Sequence, residues 1–197
     1  ATRSEIRGRR VGSSGYGLLE TVARVPQYVE RPELLTANGS SYVAFVEGGE
    51  VFLSRDGGAG WSQPVNVSRS PQAGSTQPSL TAQGGELHVA WIESDLTLPG
   101  VANQVAYAQT RGGGLTPPEI LTRGVGDRSI PVVVAEGSRI KIYWQDWSLG
   151  RQRIYTSWRE QGLLEAPRVV TSPGGDPSRP SAAHGALGET HVVTSLD

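Results

Sequence analysis

Carboxylates close one apolar run after another in this 197-residue chain. Glu47, Glu93 with Asp95, Asp146 and Asp197 each follow a short stretch of Val, Ile, Ala or aromatic residues. Gathered at one rim they would hold a hard cation or a basic partner; dispersed, they are solvated loop charge. Beside them stand Trp147 and Arg151, and the longest intervening segment runs from Ser94 to Asn103. An exposed Trp next to an Arg is an anchor for a protein surface or a sugar ring. Trp147 lies off the packing position held by Trp91 and Trp144, which favours exposure, the alternative being a cap on a neighbouring element. Glu93, Asp95, Asp146, Trp147 and Arg151 are therefore the candidate binding residues.

Other chemistries are poorly supplied. His88, His184 and His191 form neither His-Glu-x-x-His nor a paired ligand spacing, so no metal or other cofactor is expected. His88 and His191 occupy matching strand positions, which reads as structural. Gly112-Gly113-Gly114 lacks the Lys and hydroxyl of a phosphate loop. With no Cys, disulfides, thiolate sites and cysteine nucleophiles are excluded together. Eighteen basic against 19 acidic residues argue against nucleic acid as a partner, and no apolar run is long enough for a spanning helix, so membrane insertion is not expected. A chain that starts Ala-Thr-Arg and contains no Met reads as a processed product or a piece of something longer.

The elements that must position these groups repeat. Arg31-Pro32, Gln77-Pro78, Ile130-Pro131 and Arg179-Pro180 each open an apolar strand, and the prolines lie 46, 53 and 49 residues apart. Second strands follow at Tyr42 to Val46, Leu87 to Ile92, Ile140 to Trp144 and Thr190 to Val193. Third strands are expected at Glu50 to Ser54, Gln104 to Gln109 and Arg153 to Trp158. Fourth strands follow a Pro, at 64–67, 118–122 and 167–171. Four strands at this period predict an all-β protein of β-propeller blades, with complete units at about 31–68, 77–122 and 130–171. At the N-terminus, 17–25 matches 162–170 without a gap, so an outer strand is expected there with a weak third strand at 9–13. The half-blades, about 9–25 and 179–197, are complementary. Two architectures are open: a four-bladed ring closed by pairing the termini, or an arc whose edges another chain covers.

The first unit carries Ser54-Arg55-Asp56-Gly57-Gly58-Ala59-Gly60-Trp61, which reads Ser-x-Asp-x-Gly-x-x-Trp. Here the chain resembles the Asp-box, or bacterial neuraminidase, repeat of sialidase-like β-propellers, over about residues 17–197. Ser54, Asp56, Gly58 and Trp61 are its structural signature: the carboxylate accepts N–H groups of its own turn, Gly permits positive φ, and Trp packs the turn onto the blade. The turns at 110–115 and 157–163 keep a hydroxyl and a Gly but lose Asp and Trp. The resemblance implies that Asp boxes lie on one face of the fold and ligands on the other.

Sialidase chemistry, as the resemblance implies it, needs an arginine triad whose first member sits in Arg-Ile-Pro, a Tyr-Glu nucleophile pair and an Asp acid/base. Arg24-Val25-Pro26 lies in the expected outer strand, and Arg31 abuts Pro32 directly at a position filled elsewhere by Gln77, Ile130 and Arg179. No catalytic residue is assigned. The expected function is a non-catalytic binding or assembly module, outside the cytoplasm, with protein or carbohydrate as partner; the alternative is part of a sialidase-like glycoside hydrolase.

Overall fold

The computed structural model describes residues 4–13, 15–95, 103–124, 126–147, 150–171, 177–184 and 189–196, and all regular structure among them is antiparallel β. An N-terminal hairpin pairs β1 (Ser4–Gly12) with β2 (Gly15–Val25). The first sheet follows as β3 (Val29–Ala37), β4 (Ser40–Glu47), β5 (Glu50–Asp56) and β6 (Val65–Asn66), hydrogen-bonded in that order. A second sheet comprises β7 (Ala73–Gln83), β8 (Glu86–Asp95) and β9 (Asn103–Arg111), with β10 (Gly114–Leu115) and β11 (Glu119–Ile120) both on β9. The third repeats this with β12 (Arg128–Glu136), β13 (Arg139–Asp146), β14 (Arg153–Glu160), β15 (Leu163–Leu164) and β16 (Arg168–Val169). A C-terminal hairpin of β17 (Pro177–His184) and β18 (Thr190–Leu196) ends the series.

Middle strands here are apolar on both faces, because each sheet is sandwiched between two others. In β8, Val89 and Trp91 point into a core shared with Val46, Val51 and Leu53 of the first sheet, while Ala90 and Ile92 point into one shared with Ile142 and Trp144 of the third. Val43 and Phe45 meet Val22, Ala23 and Val25 of the N-terminal hairpin. Trp91 and Trp144 are almost wholly buried, and truncating either to Ala would cost about 3–5 kcal/mol.

The proline anchors mark one device used four times. Arg31, Gln77, Ile130 and Arg179 have φ of 46°, 55°, 50° and 50°, and each sits in a register break between the first and second strands of its sheet. The residue and its Pro form a bulge that sheds the ladder where Pro has no N–H to give. β-Branched Ile130 is the most strained of the four. Bulge residues of the first three sheets, with Ser181 and Ala182 of β17, line one cavity of about 460 Å³. Gln77 Oε1 accepts the Ile130 N–H at 2.5 Å, and Gln145 Oε1 accepts that of Arg179 at 3.1 Å, tying neighbouring sheets together around it.

Three expectations change. Fourth strands shrink to two residues each, beginning just after the prolines. The N-terminal hairpin is longer and shifted: its third-strand equivalent is β1 rather than 9–13. Four residues back from the turn, Gly8 pairs Glu20 as Thr156 pairs Arg168, so the ungapped match of 17–25 to 162–170 is displaced. Without a Pro at its centre, β2 runs unbroken where β15 and β16 are separate. Finally, the terminal hairpins form two separate two-stranded sheets, with no ladder between them among the described residues, so ring closure by the termini is not seen.

Candidate functional site

Second-to-third-strand connections and sheet-to-sheet links fall at one end of the sheets, where β4, β8 and β13 finish. Glu47, Glu93 and Asp146 map to this end, but each has a different environment. Glu47 accepts the backbone N–H of Gln27 at 3.3 Å. Glu93 Oε2 accepts Ser75 Oγ–H and Trp91 Nε1–H, both at 2.7 Å. Asp146 is buried and bonded to Arg128 Nε at 3.0 Å, so it presents no carboxylate to the rim. The Asp95 side chain and Asp197 lie outside the described residues.

Arg128 is the residue that sequence reasoning missed. It is buried, and beyond Asp146 its NH1 group reaches Gln104 Oε1 at 3.0 Å and the carbonyls of Asn103 and Gly124 at 3.1 Å, locking the second sheet onto the third. The repeat contained the signal: Arg128 precedes Ile130-Pro131 as Ser75 precedes Gln77-Pro78, and the register sets Arg128 opposite Asp146 as Ser75 stands opposite Glu93.

Glu93 is the candidate that faces a cavity. A pocket of about 530 Å³ is formed by Glu93, Gln104, Thr122, Arg123 and Ile120 of the second unit and by Pro71 in the incoming link. One carboxylate, one guanidinium and the two amides of Gln72 and Gln104 thus converge on a partly apolar recess, the pattern of a small-ligand site. Trp147 is 46% exposed on the same end, its N–H donating to Asp127 O at 3.1 Å, and Arg151 is exposed nearby in sequence. The structure gives Trp147 the exposed role and leaves it and Arg151 outside the Glu93 pocket.

Ser54, Asp56, Gly58 and Trp61 sit at the opposite end, at the close of β5 and in the turn that follows it. Asp56 Oδ1 accepts Gly58 N–H at 2.7 Å and Gly60 N–H at 3.2 Å, Ser54 Oγ donates to Ser62 O at 2.8 Å, and Trp61 packs against the core under the N-terminal hairpin. The Gly58 N–H, and after it Gly60 and the Arg10 guanidinium, hold the Asp56 carboxyl below its ordinary range against the effect of burial. Gly58 has φ of +102°, open to Gly alone at low cost. The related turns each keep one bond of this set: Ser157 Oγ donates to Glu165 O at 2.5 Å as Ser54 Oγ does to Ser62 O, and Gln109 N–H donates to Thr116 Oγ1 at 3.1 Å as Arg55 N–H does to Ser62 Oγ.

No family model matches this chain, and no curated protein matches it by sequence. Solved structures do resemble it in fold. Trypanosoma rangeli sialidase gives a TM-score of 0.63 at 12% identity, covering 99% of this chain and 39% of the sialidase. An α-L-arabinofuranosidase from Lactobacillus brevis gives 0.59 at 14% identity, covering 90% and 70%. An endo-arabinase from Bacteroides thetaiotaomicron gives 0.54 at 12%, covering 98% and 86%. The chain thus shares an all-β fold of antiparallel sheets with these proteins and spans about two-fifths of the sialidase's length.

Proposed function

We propose that this chain is a β-propeller segment of three blades flanked by complementary half-blades, serving as a non-catalytic binding or assembly module outside the cytoplasm. The observation that carries this reading is the engagement of the rim carboxylates. Glycoside hydrolysis by a carboxyl pair, a criterion that does not extend to a Tyr nucleophile of the sialidase kind, needs two groups, about 5–9.5 Å apart, that face substrate and exchange protons with it. Here Glu93 serves Ser75 and Trp91, and Asp146 neutralises a buried Arg128. The Glu93, Gln104 and Arg123 recess is instead suited to holding a polar ligand, with Trp147 as a separate contact for protein or carbohydrate.

The second reading, part of a sialidase-like hydrolase, is favoured by the three fold neighbours named above, a sialidase, an arabinofuranosidase and an endo-arabinase. Incubation with chromogenic sialosides and α-L-arabinofuranosides separates the two. Turnover above a heat-treated control would establish the second. A labelled chain that releases no aglycone, yet is retained by an immobilised glycan or protein through Arg123 and Trp147, supports the first. Native mass tests the assembly component: 20.9 kDa means that no second chain covers the half-blades, and a larger particle supports their being covered by another chain.

A further inference from the structure

One contact recurs between neighbouring sheets. Ala44 of β4 shares a core with Leu80 of β7, and Ala90 of β8 shares one with Val133 of β12. In register these are the same two positions: Ala44 and Ala90 stand opposite the residue that follows the bulge proline, and Leu80 and Val133 are the next residue along the first strand. At the two ends of the chain each half of this contact is left open. Val193 of β18, opposite Ser181, holds the position of Ala44 and Ala90 and is 67% exposed. Leu34 of β3 holds the position of Leu80 and Val133 and is 65% exposed, whereas all four counterparts are buried.

The strands beside these residues are open as well. A complete sheet runs in the order first, second, third and fourth strand. The C-terminal hairpin fills the first two places and the N-terminal hairpin the last two, so β18 lacks a third strand at its free edge and β1 lacks a second. Between β1 and the first sheet lies a mostly apolar groove of about 750 Å³, lined by Ile6, Val11 and Val22 of the hairpin and by Pro32, Leu34 and Val43 of β3 and β4. This is where a second strand would run. β18, Thr-His-Val-Val-Thr-Ser-Leu, has none of the Pro, Lys or inward charge that blunts an edge against pairing. Within one chain the hairpins share no ladder among the described residues, and three sheets stand between them. A second copy supplies the missing half at both ends, and this self-complementarity selects the occupant.

We infer that the chain assembles head to tail with copies of itself: β18 of one copy enters the groove beside β1 of the next, completes a sheet in the order β17-β18-β1-β2, and brings Val193 onto the second copy's Leu34. The inference rests on the proposed reading of the hairpins as complementary half-blades and names what completes them. The contact is heterologous, so it closes into a ring or extends. Light scattering is expected to give the native chain a mass of at least twice 20.9 kDa, and Val193→Asp, at an exposed position, to return it to 20.9 kDa with unchanged circular dichroism. The chain has no Cys, so Leu34→Cys and Val193→Cys each introduce a single thiol. When these two variants are mixed, bismaleimidoethane is expected to join position 34 of one chain to 193 of another, in preference to either with Leu163→Cys, an exposed apolar position outside the groove. The inference is overturned if the native chain stays at 20.9 kDa at its highest soluble concentration, if the reagent joins 34 to 193 within one chain of the double variant, if the mixed variants link no better than the Leu163→Cys control, or if a larger particle survives Val193→Asp. A monomer would leave retention of a glycan or protein through Arg123 and Trp147 standing, so failure here and failure of the binding role are read separately.

Discussion

The second and third sheets use the same three positions at the rim and solve them differently. In the second, Ser75, Trp91 and Glu93 form a closed circuit in which one carboxylate oxygen satisfies both a hydroxyl and an indole. In the third, the equivalents are Arg128, Trp144 and Asp146. The carboxylate, shorter by one methylene, turns to the guanidinium, and the buried Trp144 Nε1 is left without a partner among the described residues. Identical backbone register therefore does not impose identical polar bonding. Side-chain reach decides it, and in the third sheet the arginine joins two sheets while an indole goes unsatisfied.

The largest effect should come from the ion pair. Arg128→Ala takes the guanidinium from the buried Asp146 and removes donors from Gln104 and two carbonyls, with an expected loss of about 3–5 kcal/mol by urea unfolding. Ser75→Ala, at the matching position, leaves Glu93 bonded to Trp91 and should cost about 1 kcal/mol. Equal losses would break the distinction between the two sheets.

Acid should separate them next. His88 in the second sheet is matched by Lys141 in the third, which pairs with Glu136 at 2.5 Å. Burial, then Arg159, lowers the His88 pKa from 6.5 to about 4, so the unfolded chain binds the extra proton. Stability from this group is complete above about pH 6.5 and is lost as pH falls toward 4, by on the order of 3 kcal/mol. Melting curves across that range should show a slope that His88→Gln flattens, Gln being able to donate to Tyr107 at any pH. An unchanged slope would remove the second sheet's claim to acid sensitivity.

The indoles give a smaller difference. Trp→Phe removes similar volume at 91 and 144, but only Trp91 loses a hydrogen bond, and only Trp144 is relieved of an unpaired buried donor. Trp91→Phe should cost about 1–2 kcal/mol more than Trp144→Phe in the same unfolding assay.

Much of the frame was legible in the residues. The Pro period located four of the five sheets, and the Ser-x-Asp-x-Gly-x-x-Trp spacing foretold the bonds of Asp56 because they are local, spanning two and four residues. What stayed hidden depends on register. His88 meets Tyr107 across 19 residues, and Arg128 meets Gln104 across 24, through a pairing known only once the sheets are stacked. The positive φ before each Pro was also hidden, since a residue preceding Pro prefers extended backbone and only the bulge overrides it. Asp146 looked like rim charge because a carboxylate at a strand end is usually solvated, and its partner lies 18 residues upstream.

If side-chain reach is what separates the two rims, the third should be convertible toward the second. Asp146→Glu alone adds a methylene to a buried pair already in contact with Arg128, and should destabilise by overpacking. Arg128→Ser alone takes the guanidinium away from a buried carboxylate and should destabilise more. Together, the longer carboxylate can reach Trp144 Nε1 and accept the introduced hydroxyl, as Glu93 does with Trp91 and Ser75. The pair should therefore be coupled by about 1–2 kcal/mol in a double-mutant cycle, and Trp144→Phe in that background should begin to cost what Trp91→Phe costs. The bonds from Arg128 to Asn103 and Gly124 are not restored, so full recovery is not expected. Strict additivity would mean that the backbone, and not the length of one side chain, keeps the indole unsatisfied.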